Sequence, residues 1–143
     1  MAEERPHKAF PDGEFTASEL RGLGPCNALS NQEAKIVLKR FIDSASSTSK
    51  TWVAPPLAQK AMEYLEKVEP KTDTSHSRTV EQLRETVQRA QIDEFEMALL
   101  ANLTPETADE ALSIVPSLQD RFADNKEQLQ DVLNEIVTLK QLQ

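Results

Sequence analysis

The chain of 143 residues is long enough for one domain of ordinary size, or for a small domain with an extended arm. Its hydrophobic fraction of 38% and aromatic fraction of 5% are low for a self-sufficient globule, so any core has to come from leucine, valine, isoleucine and alanine. All three glycines lie between positions 13 and 24, which leaves the rest of the chain without hairpin turns or a phosphate-binding loop. We therefore predict an all-α fold.

The net charge of −8 is spread unevenly along the chain. Residues 1–70 carry 9 basic and 10 acidic side chains, whereas residues 71–143 carry 7 basic and 14 acidic ones. No lysine or arginine occurs between Arg89 and Arg121. Because an acidic surface repels phosphate backbones, we expect no direct nucleic-acid binding by residues 71–143. We expect this surface instead to aid solubility or to bind a basic protein partner.

The single cysteine, Cys26, excludes an internal disulfide and a multi-cysteine metal site. The first ten residues lack the apolar stretch of a signal peptide, and no apolar run approaches the length of a transmembrane helix. We expect a soluble intracellular protein that has no membrane partner.

Residues 1–25 are polar and contain all the glycines, with isolated apolar side chains at Phe10, Phe15, Leu20 and Leu23. These side chains cannot form a core, yet they are too apolar for a simple linker. We interpret the segment as an extended arm that docks on another surface. The alternative is a disordered tail with incidental aromatic residues.

Two amphipathic helices are predicted in the first half, over residues 30–44 and 56–68. Ser30 and Glu33 have the spacing of a capping box, and Pro56 suits the first position of the second helix. The apolar stripes consist of Ala34, Val37, Leu38, Phe41 and Ile42 in the first helix and of Leu57, Ala61, Tyr64, Leu65 and Val68 in the second. The solvent-facing side of the first helix is expected to carry Lys35, Lys39 and Arg40.

Two polar connections are predicted around the second helix. Residues 44–54 are rich in serine and threonine, and they are predicted to form a flexible loop. Trp52 near its end is expected to pack this loop onto a helix. Residues 71–77 form the second linker, in which His76 is expected to be solvated, as is His7 in the arm.

The second half contains four predicted helices, beginning with residues 78–90, where Val80, Leu83 and Val87 point inward. Residues 92–118 are predicted to form two helices separated by a sharp break. The first helix is expected to be buried on almost all sides, and Pro116 is expected to end the second. The last helix, residues 124–142, is predicted to open with a capping box of Asp124 and Glu127. Its inward positions are Leu129, Val132, Leu133, Ile136, Val137 and Leu139.

The break between the two helices of residues 92–118 has its own pattern. Thr104 is expected to cap the second helix, with Pro105 at the first helical position. Leu99 and Leu103, which recur at helical spacing after Ile92 and Phe95, are expected to pack beneath this turn.

This segment resembles the family of RNA polymerase stalk subunits that includes subunit 4 of eukaryotic RNA polymerase II and its archaeal counterpart. The resemblance covers about three quarters of the chain. It is weaker over residues 26–41 and 80–143 than over this segment, and it is absent from residues 1–25 and 68–77. The residues that carry it are Phe95, Leu99, Asn102, Leu103, Pro105, Glu106 and Thr107, followed by Pro116, Ser117 and Leu118.

The sequence patterns predict a division into a docking arm (residues 1–25), a two-helix dimerisation region (26–70), a linker (71–77) and a helical bundle (78–143). The resemblance implies that this bundle is of HRDC-like type. It implies a nuclear, non-catalytic polymerase subunit that forms a heterodimer with subunit 7, and through it joins the polymerase core in transcription initiation and later steps. We predict that the partner interface contains Phe10, Phe15, Val37, Leu38 and Phe41.

No catalytic, cofactor-binding or metal-binding motif is found in the sequence. The acidic pairs Glu106–Glu110 and Asp131–Glu135 lack the histidine of a metal-binding bundle, so they are read as solvated faces. Three alternatives to the stalk subunit of polymerase II stay open: the corresponding subunit of polymerase III or of a plant-specific polymerase, an unrelated helical adaptor, and a nucleic-acid-binding domain.

Overall fold

The computed structural model describes residues 27–142, which contain α-helices and short 3₁₀ turns and no strand. The all-α prediction is therefore confirmed for this part of the chain. None of the helices within these residues is long and apolar enough to cross a membrane. The described residues form seven α-helices and two 3₁₀ turns. The helices are α1 (Asn31–Thr48), α2 (Pro56–Val68), α3 (Ser77–Arg89), α4 (Glu94–Leu103), α5 (Ala108–Ile114), α6 (Gln119–Phe122) and α7 (Lys126–Gln141), and the 3₁₀ turns are Thr74–His76 and Pro116–Leu118.

The core is built around α7, because α3, α5 and α6 all pack against it. The inward positions predicted for α3 are confirmed, since Val80, Leu83 and Val87 are buried. The rest of the core comes from the closely spaced apolar residues of α4 to α7. It contains Ile92, Met97, Leu100, Ala101, Ala108, Ala111, Leu112, Val115, Leu118, Phe122, Leu129, Val132, Leu133 and Ile136.

Helix α1 begins as predicted and ends later than predicted. The Ser30 hydroxyl accepts from the Glu33 amide, and the Glu33 side chain accepts from the Ser30 amide, which completes the capping box. The helix then runs through the serine-rich segment to Thr48, so the prediction of a loop from residue 44 is wrong. The hydroxyls of Ser46 and Thr48 donate to carbonyls one turn earlier, at 2.9 and 3.0 Å, so these polar side chains are satisfied within the helix.

The loop that follows α1 lies against it through one aromatic contact. The rings of Trp52 and Phe41 meet edge to face, with centroids 6.0 Å apart. The predicted role of Trp52 in packing the loop onto a helix is confirmed. Helix α2 has the predicted bounds, but only Leu65 of its stripe is buried.

The break between α4 and α5 differs from the prediction in which threonine caps the helix. Thr104 ends α4 in the left-handed conformation, with φ 45° and ψ 60°, and does not cap α5. The cap of α5 is Thr107, whose hydroxyl accepts from the Glu110 amide at 3.2 Å. Pro105 is buried in the turn and precedes the first helical position. Helix α5 therefore begins at Ala108, three residues later than a direct restart at Pro105 would give.

The 3₁₀ turn before α3 and the start of α7 also differ from the sequence prediction. Asp73 caps the 3₁₀ turn, and the His76 Nδ1 accepts from the Asp73 amide at 3.3 Å, so His76 is held in place rather than freely solvated. At the start of α7 the cap position is Asn125, and the predicted capping box of Asp124 and Glu127 is absent. His7, Cys26 and the arm lie outside the described residues.

The left-handed Thr104 predicts a stabilising substitution. A β-branched residue with positive φ is strained, whereas glycine adopts this conformation freely. We expect Thr104→Gly to raise the free energy of unfolding by about 1 kcal/mol, measured by urea denaturation. Gln91, which also has positive φ but is not β-branched, supplies the control. Gln91→Gly should gain less, and a loss of stability in Thr104→Gly would contradict this account of the turn.

Candidate protein-interaction surface

The start of α1 is fixed by a charged network centred on Arg84 of α3. The Arg84 guanidinium donates to both Glu33 carboxylate oxygens, at 2.5 and 3.0 Å, and to the carbonyl of Ala28 at 2.7 Å. It also donates to Glu94 of α4 at 3.2 Å. The hydrogen bond to Glu33 raises the pKa of Arg84. We call this set of contacts the Arg84 clamp; it joins α1, α3 and α4.

A second polar cluster lies on the buried side of α1. Lys35 is 6% exposed and donates to the Glu69 carbonyl at 2.6 Å, so its prediction as a solvent-facing lysine is wrong. The Glu69 carboxylate lies 3.5 Å from Lys140 of α7. Lys140 also donates to the Ala101 carbonyl at 2.7 Å, at the last turn of α4. The cluster joins α1, the end of α2, α4 and α7.

Helix α1 therefore buries two polar side chains beside one large apolar one, and it leaves much of its predicted apolar stripe outside. Its buried residues are Gln32, Lys35 and Ile36. In contrast Val37 is 55% exposed and Phe41 is 57% exposed, one turn apart on the same side. Leu38 is half-buried. The three predicted interface residues of α1 thus lie together at one edge of an open apolar face.

A second apolar stripe is exposed on α4, so the prediction that this helix is buried almost all round is wrong. Leu99 is 44% exposed and Leu103 is 53% exposed, and neither packs beneath the turn. Leu100, by contrast, is fully buried and faces the core. Helix α4 has one buried side and one open side, like an ordinary amphipathic helix.

The other residues that carry the family resemblance have structural roles. The Asn102 side chain accepts from the Asn31 amide at 2.8 Å and thereby ties the end of α4 to the start of α1. Leu118 is fully buried. The Ser117 hydroxyl donates to the buried Glu96 carboxylate at 2.7 Å, and Arg121 forms an ion pair with the same carboxylate.

The turn after Asn102 is held by α7. The Gln130 amide donates to the Glu106 carbonyl at 2.9 Å, and its side-chain oxygen accepts from the Ala108 amide at 2.9 Å. These two hydrogen bonds attach the turn between α4 and α5 to α7. Its polar groups satisfy the backbone of the turn, as buried polar groups must.

The described residues offer no group of three or more metal-ligating side chains. Two carboxylates of the acidic pairs noted in the sequence accept hydrogen bonds within the fold. Glu110 accepts from the Glu106 amide at 2.9 Å, and Glu135 accepts from the Thr86 hydroxyl of α3 at 2.8 Å. An open groove of about 640 Å³ runs between the α4–α5 turn and the end of α7. Its lining combines Lys71, Thr104, Glu106, Asn134, Val137, Thr138, Lys140 and Gln141.

The predicted interface residues divide into two sets. Val37, Leu38 and Phe41 lie on α1 as described above, whereas Phe10 and Phe15 lie outside the described residues. Sequence reasoning missed Arg84 and Glu69, which hold α1 in place. The capping-box position of Glu33 was visible in the sequence, but nothing there identified an arginine 51 residues away as its partner.

Comparison with known proteins places almost all of the described part of the chain in one family. A family model described as RNA polymerase Rpb4 matches residues 28–140. The DNA-directed RNA polymerase II subunit 4 of Arabidopsis thaliana is 28% identical over 118 residues, which cover 80% of this chain and 83% of the relative. The DNA-directed RNA polymerase II subunit rpb4 of Dictyostelium discoideum is 40% identical over 62 residues, which cover 43% of this chain and 38% of the relative.

The Arg84 clamp predicts a large loss of stability when its cation is removed. We expect Arg84→Ala to lower the free energy of unfolding by about 2–3 kcal/mol, because the half-buried Glu33 carboxylate loses its partner. Arg89→Ala is the matched control, since the Arg89 side chain is 74% exposed and its pair with Glu135 should contribute less than about 1 kcal/mol. Equal losses in the two variants, measured by denaturant unfolding, would contradict a special role of the clamp.

Proposed function

This chain belongs to the RNA polymerase Rpb4 family and is a non-catalytic subunit of RNA polymerase II, and we propose that it acts as a stalk subunit through a heterodimer with subunit 7. In this role it works in the nucleus, in transcription initiation and later steps. It reaches the polymerase core through its partner and needs no cofactor. The proposed organisation is the one expected from the sequence, with residues 1–25 as a docking arm, 26–70 as the dimerisation region, 71–77 as a linker and 78–143 as an HRDC-like bundle.

The orientation of α1 is the observation that supports the heterodimer. A helix that served only its own chain would turn its apolar stripe inward and its lysines outward. Here Lys35 is buried, while Val37 and Phe41 are more than half exposed. The exposed side is apolar enough to need cover, and a partner protein supplies that cover.

The energetics of association favour a large interface. Burial of apolar surface contributes roughly 25 cal/mol per Å², and obligate pairs bury about 2,000 Å² or more. Val37, Leu38 and Phe41 can form the centre of such a contact on α1. Phe10 and Phe15 of the arm extend it, because an arm that wraps a partner adds area without enlarging the core.

The charge distribution supports a role in protein contacts rather than in nucleic-acid binding. The stretch between Arg89 and Arg121 has no lysine or arginine, and the chain as a whole carries −8. Such a surface disfavours phosphate backbones. We therefore assign any RNA contact of the heterodimer to subunit 7.

Co-purification tests the proposal directly. A tagged version of the full chain, expressed in cells, should recover subunit 7 and the large subunits of RNA polymerase II. Co-expression with subunit 7 alone should give a soluble 1:1 complex, whereas the chain alone should expose apolar surface and bind the dye ANS. Recovery of the large subunits of another polymerase, or a stable monomer with no affinity for subunit 7, would refute the assignment.

The open face of α1 predicts a variant that separates binding from folding. Val37→Glu should raise the Kd for subunit 7 about tenfold or more, because a carboxylate would be desolvated in the contact. Its unfolding midpoint should change little, since position 37 is exposed in the free chain. The control is Leu57→Glu on α2, where an 81% exposed leucine belongs to the dimerisation region but not to the predicted interface residues.

Isothermal titration calorimetry of both variants gives the affinities, and thermal unfolding gives the stabilities. Unchanged binding by Val37→Glu would remove α1 from the interface. A comparable loss in Leu57→Glu would show that the contact is centred elsewhere.

A further inference from the structure

Helix α2 packs against α1, yet it leaves most of its apolar stripe open. Leu65 is the buried residue of this helix, and it does not belong to the core cluster of the fold. Leu57 is 81% exposed, Tyr64 is 57% exposed and Val68 is 40% exposed. Ala61, which lies between them in the sequence, is half-buried. The open side of α2 is therefore apolar from its first turn to its last.

The four residues on this open side follow one another at intervals of four, three and four positions. This spacing keeps them in one line along the helix, and it is the spacing of the seam between two helices that pack side by side. We call the line of Leu57, Ala61, Tyr64 and Val68 the α2 seam. The α2 seam is about 16 Å long at 1.5 Å per residue, so it matches a partner helix of about three turns.

The solvent-facing edge of the α2 seam carries two lysines. Lys60 and Lys67 are exposed, and each directly precedes a residue of the seam. They are seven positions apart, which places them on the same edge of the helix. Lys67 pairs with Glu63 of the same helix at 3.0 Å, but both side chains are largely exposed, so this pair contributes little and a partner can replace it. The seam is thus apolar with a basic edge.

The basic edge discriminates between the proteins that could cover the seam. In a helix pair, charged residues at the edges of the seam face each other and select the partner. A second copy of α2 in antiparallel orientation would place lysine against lysine. In parallel orientation it would place each lysine against the other edge, where Ala58 and Leu65 carry no charge. A helix with acidic residues at its matching edge pairs with both lysines, so it fits the seam better than a second copy does.

We propose that the α2 seam binds an acidic amphipathic helix of another protein, whose apolar side packs on Leu57, Tyr64 and Val68 and whose carboxylates pair with Lys60 and Lys67. The site is separate from the α1 contact proposed for subunit 7, so it gives the chain a second docking surface. The net charge of −8 does not oppose this binding, because charges more than about 8 Å away are screened at physiological ionic strength.

A pair of synthetic peptides tests the site on the full chain. Each peptide has three heptads with leucine at both seam positions, and its edge positions are all glutamate in one peptide and all lysine in the other. Fluorescence anisotropy should give a Kd for the acidic peptide about tenfold or more below that for the basic peptide. Lys60→Glu combined with Lys67→Glu should reverse this preference, because it inverts the charge of the edge.

Two single substitutions locate the peptide on the chain. Tyr64→Asp should raise the Kd of the acidic peptide about tenfold or more, because it places a charge in the middle of the seam. Leu99→Asp is the control, since Leu99 is also exposed, at 44%, but lies on α4. It should leave the Kd unchanged. Far-UV circular dichroism should show that all variants keep their helix content.

Each other outcome overturns the proposal. Absence of binding, equal binding of the two peptides, or a preference that the double lysine substitution does not reverse removes the basic edge from any site. Equal losses in Tyr64→Asp and Leu99→Asp mean that the peptide binds exposed apolar surface without selection. Displacement of the acidic peptide by subunit 7 assigns the seam to subunit 7. Sedimentation that shows dimers of the chain, lost in Tyr64→Asp, assigns it to a second copy. Failure of the chain to bind subunit 7 is measured separately by calorimetry and affects the proposed function alone.

Discussion

The ion pair between Arg84 and Glu33 determines which side of α1 faces the rest of the molecule. One guanidinium binds the capping carboxylate of α1, the carbonyl of Ala28 and Glu94 of α4. Because Glu33 also completes the cap of α1, the helix cannot rotate about its axis without losing the pair and the capping box together. Lys35 then lies inside against Glu69, and Val37 and Phe41 lie outside. The apolar face of α1 is therefore exposed because the ion pair of Arg84 and Glu33 fixes the opposite side of the helix against the fold.

The partly buried charges of Arg84 and Glu33 orient α1 more than they stabilise the fold. Desolvation offsets much of the Coulomb attraction of a buried pair, so an apolar contact could hold the helix at least as firmly. An apolar contact would, however, have taken Val37 and Phe41 inward. A helix held by its polar side keeps its apolar side free, which is what a subunit that functions only within a larger assembly requires. The same logic applies to α4, where Glu96 is buried against Arg121 while Leu99 and Leu103 stay exposed.

The sequence predicted the fold class, the family and most helices because these depend on local patterns. The capping box of Ser30, the inward positions of α3 and most of those of α7 were confirmed, as was the contact of Trp52 with a helix. The errors concern the rotation of helices and the identity of caps. Periodicity identifies an apolar stripe but not the surface that covers it, so Leu99 and Leu103 were assigned to the core.

The remaining errors have a common physical origin in contacts between distant residues. The burial of Lys35 depends on Glu69, 34 positions away, and the place of α1 depends on Arg84. The cap of α5 moved from Thr104 to Thr107 because α7 holds the turn through Gln130. No local pattern contains these pairings. The predicted interface at Val37, Leu38 and Phe41 remains a prediction, and its two arm residues lie outside the described part.

Hydroxyl-radical footprinting of the unmodified chain, read out by mass spectrometry, tests the orientation of α1 most directly. In the free chain Phe41, which is 57% exposed, should oxidise readily, and Phe122, which is 3% exposed, should not. In the complex with subunit 7 the oxidation of Phe41 should fall to near that of Phe122, while Phe122 stays unchanged. If Phe41 is already protected in the free chain, or keeps its reactivity in the complex, α1 does not present its apolar side to the partner.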